Sequence, residues 1–539
     1  MIKSISINSN SIKQSYVFDT DQKHKWSIDI TKIKLSELNS FDIEIVFEQS
    51  ISEFRNHDYT WVKCNEDRIS NQFCPKVIKL QNGQLVQANI HAGIWEINKK
   101  NKNVLLWRFN PEFAESITTY LGSDNRKKAE SSKKRFHFPE NPTLLFPENY
   151  ALEFSRSKYP FTAVACFTDH CDFDTVENLS IQRKFFKETQ IKITKGFFLN
   201  HFSKRSDNAS FENDKEELLK WKNDGHELCY HSLSQSIKSE IERFNDFEQF
   251  VPPLTDLKVW IDHGYQPYNF SLLKKNNLTN EKFEKILEGK NINILWNYID
   301  SGTSAEGVVN QLNNQQFTLA GFKKGNKDLG LVKKTQLMIK NIIFHYYNDE
   351  NMILKYQSTA GNFKKIVFQK KIKFFLPLLK NAFDLGIAIF SIVLSWNRVK
   401  NKPYKLAKYS PLVFKHIIHE KEFYVFQTLE MLDFQESLSR FNLDSLVNEK
   451  GVFIAHTYFS VPMHYHKGKL FSTSDKIDEN VFENFKLLGA KVQNKEIWNP
   501  TLSELVEYWK GFETMVLNID KNGNLFTEIN SDLHSKKIN

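Results

Sequence analysis

Short apolar runs, several of them alternating with polar residues, mark the first part of the chain: WSIDI at 26–30, FDIEIVF at 41–47, AGIWEI at 92–97 and NVLLWRF at 103–109. A period of two turns every second side chain to one face, so the pattern predicts strands joined by polar turns and a β-rich accessory domain over 1–122. The chain then becomes polar and basic in NRKKAESSKKRF and proline-containing in FPENPTLLFPEN, with no period of either kind. That change predicts a linker over 123–154.

Past Tyr159 strand and helix patterns alternate. VACFT at 164–168 has the make-up of a buried strand; Val176, Leu179, Phe185 and Phe186 recur at helical spacing after Thr175; GFFLN at 196–200 is strand-like again. A helix over 212–223, with Leu218, Leu219 and Trp221 on its apolar side and Gly225 to end it, precedes HELCY at 226–230. LKVWID at 257–262 and INILWNYID at 292–300 continue the series, separated by a segment containing Pro267, Leu272 and Leu273. Such alternation predicts an α/β fold over 155–329, parallel strands with helical crossovers. The alternation fades over 330–445, where YKLAKYSPLVFKHIIHEKEFYVFQTLEMLDF favours helices and basic residues accumulate, which predicts a helical, basic insertion. GVFIAHTYF at 451–459, and a helix from Thr501 carrying Leu502, Leu505, Val506 and Trp509, resume the earlier style. The last part of the barrel-like region is therefore expected over 446–515, with 516–539 as a C-terminal tail. No repeat at a solenoid period is present.

Composition narrows the classes. A chain of 539 residues with 40% apolar and 25% charged residues is neither generally disordered nor fibrous. Lys and Arg exceed Asp and Glu by 73 to 64, a net charge of +9 diluted over a long chain. With no zinc-finger pattern and no single-strand binding signature, nucleic acid is not an expected partner. The five cysteines, Cys64, Cys74, Cys166, Cys171 and Cys229, are odd in number and lack paired spacing, which fits a reducing interior. The N-terminal MIKSISINSNSIKQSYVF has no apolar signal region, so a cytoplasmic location is expected.

Chemistry-bearing residues gather where predicted strands end. Asp169, His170, Asp172 and Asp174 follow VACFT; His226 and His231 flank HELCYH; Asp262 and His263 end LKVWIDH; His456 lies in FIAHTYF. Carboxyl ends of parallel strands are where side chains from several units converge. Alone, each has a structural explanation: His226 beside a helix end, Asp174 as a helix cap, Cys171 as a small buried residue. Together, imidazoles and carboxylates of this kind suit zinc or another first-row divalent ion, with a water position and a base left over for hydrolysis.

These residues resemble the polysaccharide deacetylase, or NodB-homology, family of metal-dependent carbohydrate amidohydrolases with a distorted (β/α) barrel. The family's TFDDG motif is matched by FTDHC, which assigns the base to Asp169 and a metal ligand to His170, or to Asp172 if the loop is rearranged. Its HSxxH motif is matched by His231 and Ser232 after Gly225, His226 and Glu227, but Gln235 stands where a second histidine belongs. The ligand set would then draw on Asp172, His226 or His263 besides His231, because an amide oxygen binds zinc weakly. GFFLN and the late His456 strand fit the same order, over roughly 155–320 and 445–515. The resemblance implies hydrolysis of an N-acetyl group on a sugar of a bacterial surface polysaccharide, lipopolysaccharide or lipid-linked precursor. Asp169 would act as base and His456 or His263 as acid, with Asp262 available to orient His263 across a turn at Gly264.

Other readings stay open. A NodB-like protein that has lost hydrolysis would serve as a glycan-binding or scaffold protein; Asp169 with Glu227 or Asp262 would supply the two carboxylates of a glycan-chain hydrolase. Cys171 or Cys229 would be the nucleophile of a metal-independent enzyme, though neither has a nucleophile's sequence context. Ser301-Gly302-Thr303-Ser304 reads as a plain turn, and Trp95 and Trp107 as sugar platforms or as core. Residues 363–408 hold an uncharged run, Leu385–Asn397, of 13 residues, short for a membrane span. The segment is expected as a buried helix with basic flanks, or as an interfacial helix in which Phe374, Phe375, Phe383 and Trp396 meet an anionic membrane on its inner face.

Overall fold

The structure is a computed structural model and describes the chain apart from residues 1, 10–11, 17–22, 31–32, 36–37, 122–125, 133–134, 264–278, 298–308, 327–329, 410, 432, 463–467 and 528–531. Gly264, Pro267, Leu272, Leu273 and the Ser301-Gly302-Thr303-Ser304 stretch thus lie outside the described residues. Two units divide it: one comprises Met1–Ile299, Val309–Leu312 and Tyr409–Asn539, the other Asp300–Val308 and Asn313–Lys408.

In the larger unit the N-terminal strands form two six-stranded sheets. One runs, in spatial order, Ile12–Tyr16, Ile2–Ser9, Phe41–Phe47, Val104–Phe109, Ile94–Ile97 and Arg68–Ser70; the other runs Lys25–Ser27, Thr143–Leu145, Leu85–Ala88, Val77–Leu80, Ile51–Arg55 and Trp61–Lys63. Alternation in FDIEIVF places Phe41, Ile43, Ile45 and Phe47 inside. Trp95 and Trp107 lie in the same core at 0% exposure, their rings edge to face at 5.9 Å, so they are packing residues and not sugar platforms.

The rest of the unit is mixed α/β. Its elements are β1 (Ala163–Asp169), α1 (Val176–Thr189), β2 (Thr194–Phe197), α2 (Phe211–Asn223), β3 (Glu227–His231), α3 (Glu240–Gln249), β4 (Val259–Ile261), α4 (Asn280–Gly289) and β5 (Ile294–Trp296). After the second unit, which contains α5 (Glu350–Val367) and α6 (Phe375–Leu394), come β6 (Val413–Ile418), β7 (Lys421–Phe426), β8 (Leu429–Glu430), α7 (Arg440–Asn448), β9 (Val452–Thr457), α8 (Glu479–Gln493), β10 (Ile497–Trp498) and α9 (Leu502–Thr514). The strands make an open, curled sheet in the order β6-β7-β5-β4-β3-β2-β1-β9-β8, parallel except for the β6/β7 pair, with β10 also pairing β1. Every residue of β1 and β9 is buried, as a parallel sheet covered on both faces requires. Thr175 and Thr501 start α1 and α9 with reciprocal capping boxes to Asn178 and Glu504, so both helices begin at fixed positions.

Several expected boundaries move. The stretch 123–154, expected as a linker, contributes Arg126–Ser131, Thr143–Leu145 and Ala151–Phe154 as strands; these segments are too short to show a period in sequence. Thr143–Leu145 sits inside the second N-terminal sheet, and Ala151–Phe154 pairs antiparallel with Ser535–Ile538. The region 516–539 is therefore not a tail. Glu153, fully buried, fixes the pairing by bridging Arg55 at 2.7 Å and Lys536 at 3.0 Å. The insertion also has other bounds than 330–445: its described helices lie between Leu319 and Lys408, and Val413–Ile418, Lys421–Phe426 and Leu429–Glu430 belong to the sheet. VFKHII and KEFYVF form an antiparallel hairpin whose two-residue turn puts His419 at φ 55°, and its interspersed charges give the pair a helical look in sequence.

Lys76, ahead of the strand Val77–Leu80, is 3% exposed, and its Nζ has no hydrogen-bond partner among the described residues. Burial lowers its pKa to about 8 from 10.5. Because the unfolded chain still binds that proton up to about pH 10.5, the destabilisation is full below pH 8 and relieved as pH rises. Lys76→Met is expected to be more stable than the parent in urea at pH 7.5, and that gap is expected to narrow by about 2 kcal/mol at pH 9.5; a gap independent of pH would contradict the assignment.

Candidate metal centre

Four strand ends build the site. His170 directly follows β1, His231 ends β3, His263 lies two residues past β4 and His456 is the penultimate residue of β9. Thr168 pairs His456 and His231 pairs Ile261 in the parallel ladders, so these ends are brought level. Gly196 on β2 is required between them: a Cβ there would collide with the Asp169 carbonyl and meet the His231 Cβ at 3.4 Å.

Asp172 reaches the same place from the β1–α1 loop. Its Oδ2 lies 2.9 Å from His231 Nε2 and its Oδ1 lies 2.5 Å from His263 Nε2. Burial works against its charge, but His263 and His231 outweigh it and hold the carboxyl well below the usual range. Arg205 Nη2 donates to the Asp172 carbonyl and so pins the loop. The His170 ring stacks on His456 at 3.6 Å and meets His231 and Trp296 edge-on at 4.7 Å each. Burial, with His456 and His231 nearby, drives the His170 pKa well below its ordinary value, and burial lowers that of His231 as well.

His170, Asp172 and His231 offer ligand atoms that all lie within 4.8 Å of one another, a buried group able to hold a metal ion. The donor chemistry fits such an ion: two imidazoles kept neutral, one carboxylate kept ionised, and a buried His170 Nε2 with no hydrogen-bond partner among the described residues. Tyr458 adds an aromatic wall, 4.9 Å from the His456 ring and 5.2 Å from that of His170.

Two expected site residues are elsewhere. His226 precedes β3, five residues before His231 and hence on the opposite face; its Nδ1 accepts from the Ile193 N–H at 3.2 Å and its ring packs on Trp221 at 4.8 Å. It is a core histidine and not a metal ligand. Asp169 also turns away, because neighbours along a strand face opposite sides: its Oδ2 accepts from Lys195 Nζ at 2.5 Å, in the layer between the sheet and α1 and α2. Lys195, fully buried, also reaches Asp174 Oδ2 at 2.5 Å and Gln182 Oε1 at 3.1 Å, while Ser460 and Gln182 bind Asp174 Oδ1. Burial, with Asp174 close by and one ammonium serving two carboxylates, raises the Asp169 pKa to about 7 against the pull of Lys195. The same two carboxylates hold Lys195 above its ordinary range despite burial. An aspartate so engaged behind the sheet is not placed as the base of the centre.

The remaining candidates separate in the same way. Gln235 accepts from Ser203 and Ser236 at 3.0 and 3.2 Å, Asp262 accepts from the Trp260 indole at 2.8 Å, and Glu227 accepts from Thr194 and from Ser503 at the start of α9. Glu227 and Asp169 thus serve different elements and do not form a glycosidase pair. Cys171 and Cys229 are buried, and burial raises both thiols well above their ordinary pKa, the reverse of an activated nucleophile. Sequence reading missed Lys195, Gln182, Trp296 and Tyr458. Lys195 had a signal: a lysine inside the apolar run ITKGFF needs a buried anion.

No family model and no curated protein matches the chain. Among solved structures, a xylosidase from Aspergillus niger is similar over 56% of this chain and 43% of its own, at 11% identity and a TM-score of 0.18, a likeness too slight to carry an argument about fold or function.

Proposed function

We propose that the protein is a divalent-metal-dependent amidohydrolase that removes the acetyl group from an N-acetylated sugar of a bacterial surface polysaccharide, lipopolysaccharide or lipid-linked precursor, on a distorted barrel of the polysaccharide deacetylase type. The observation that carries the reading is the buried His170–Asp172–His231 donor set at the carboxyl ends of parallel strands. His170, Asp172 and His231 would hold zinc or another first-row ion, which would supply Lewis acidity toward an acyl oxygen and lower the pKa of bound water. Asp172 anchors His231 with one oxygen and His263 with the other, which fixes both rings. His456, stacked on His170, and His263 are the groups able to carry protons to the departing amine. Tyr458, half-buried beside His456, gives the site an aromatic wall for a sugar face, whereas Trp296 is buried and packs on His170.

A second reading, a glycan-binding or scaffold protein in polysaccharide assembly, is favoured by one observation: Asp169, the base implied by the family resemblance, is engaged by Lys195. Acetate release from N-acetylated glycans by zinc- or cobalt-loaded protein separates the two. The hydrolase reading predicts turnover that falls by about 10²–10⁴-fold in His456→Ala. Protein that holds its ion and binds N-acetylated glycan but releases no acetate would overturn it in favour of the scaffold.

A further inference from the structure

Helix α6 continues an N-terminal turn so that Ile372–Leu394 spans 23 residues, with Pro377 tolerated in the first turn of α6, where its missing N–H has no intrahelical partner. Among the described residues it is the helix long and apolar enough to cross a membrane, yet only 11% of its apolar window is buried. The expectation of a buried helix is therefore not met. Ile372, Leu376, Leu379, Phe383, Ile387, Phe390 and Leu394 recur every three or four residues and all are exposed, Leu376 at 76% and Phe383 at 69%. They form one continuous stripe about 33 Å long.

The contacts that join α6 to α5 and to Tyr347 just before it include polar ones, and they leave the stripe uncovered. Lys355 Nζ bridges Asp384 Oδ2 at 2.5 Å, Asn381 Nδ2 donates to Ser358 Oγ at 3.2 Å, and Tyr347 OH donates to the Ala388 carbonyl at 3.0 Å. A helical pair built for water turns its apolar stripe inward; here the stripe faces out, while the Lys355–Asp384 bridge that joins the helices stays 43% and 38% exposed. Around the stripe, residues 361–408 hold eleven lysines and arginines against one acid, Asp384, which Lys355 already engages. Five of those lysines, Lys364, Lys365, Lys370, Lys371 and Lys373, cluster where α5 passes to α6.

We propose that this face docks on an anionic lipid bilayer, with α6 lying in the headgroup plane, the stripe from Ile372 to Leu394 turned into the hydrocarbon boundary and the lysines on anionic headgroups. Charge complementarity selects this occupant: a second copy would set the same cationic cluster against itself, and a span across the bilayer would carry the turn's lysines through hydrocarbon. The proposal stands apart from the chemistry at the metal centre.

The test uses the full chain with vesicles of phosphatidylcholine alone or with 40% phosphatidylglycerol. Binding to the anionic vesicles is expected to exceed that to the neutral ones by at least tenfold. It should fall at least tenfold in Leu376→Asp/Phe383→Asp/Phe390→Asp and again in Lys370→Glu/Lys371→Glu/Lys373→Glu, with the thermal unfolding of both variants unchanged. Because the replaced side chains are exposed, a folding failure is not expected; the single change Phe383→Asp, predicted to weaken binding severalfold, is the second arm. Spin labels at 376, 383 and 390 should report one common depth. Equal binding by parent and variants, graded label depths, or a dimer in solution that the apolar variant abolishes without vesicle binding would each overturn the proposal.

Discussion

Replacing Lys195 by methionine is expected to lower the unfolding free energy by about 3–5 kcal/mol, measured by urea denaturation at pH 7. The lysine is fully buried, and its single ammonium lies 2.5 Å from both Asp169 and Asp174. Methionine fills the volume but leaves two carboxylates buried without their cation. Breaking a buried pair from one side is far more damaging than removing the whole set, because the uncompensated charge remains. The double variant Lys195→Met/Asp169→Asn is therefore expected to recover part of the loss, since Asp174 keeps Gln182 and Ser460 as donors. Destabilisation within 0.5 kcal/mol of zero, which is typical of exposed sites, would mean the network holds nothing together.

The second large effect is on metal retention. His231→Ala and His170→Ala each remove one of the three side chains able to hold the ion and are expected to weaken zinc binding by more than 100-fold in competition with a chelator. That exceeds the 10–100-fold typical of groups that only orient a ligand, and His263→Ala, which releases Asp172 Oδ1, is expected to fall within this smaller range. His226→Ala is expected to leave affinity unchanged, because its ring lies behind the sheet against Trp221. An equal loss in His226→Ala and His231→Ala would contradict the geometry.

How much of this was legible in sequence depends on the kind of signal. Strand-helix alternation over 155–329 carried through to the curled sheet because buried strands and amphipathic helices differ in period, and His170, Asp172 and His231 were legible because each follows an apolar run. Asp169 and His226 were misplaced for one physical reason. Side chains alternate across a strand, so His170 and Asp169 cannot share a face, nor can His231 and His226, separated by an odd number of residues. The parity was present in FTDH and HELCYH, but choosing which partner faces the ion required the long-range contacts of Lys195 and Trp221.

Elsewhere the sequence carried too little information. A three-residue strand such as Thr143–Leu145 shows no period, and its place between Lys25–Ser27 and Leu85–Ala88 is set by the sheet it completes. The 413–426 hairpin was obscured by Lys415, Lys421 and Glu422 on its more exposed positions and by the buried His416, residues equally at home on a helix. The stripe on α6 was visible as hydrophobicity, but its exposure emerged only from how the helix packs, because 13 uncharged residues read alone suggest a core helix.

Zinc K-edge X-ray absorption on the full chain loaded with one equivalent of zinc tests the central claim most directly. Two imidazoles and one carboxylate predict a shell of nitrogen and oxygen at about 2.0–2.2 Å with no sulfur, and imidazole scattering reduced by half in His231→Ala. A sulfur shell near 2.3 Å, or a spectrum of hydrated zinc that His231→Ala leaves unchanged, would contradict the account.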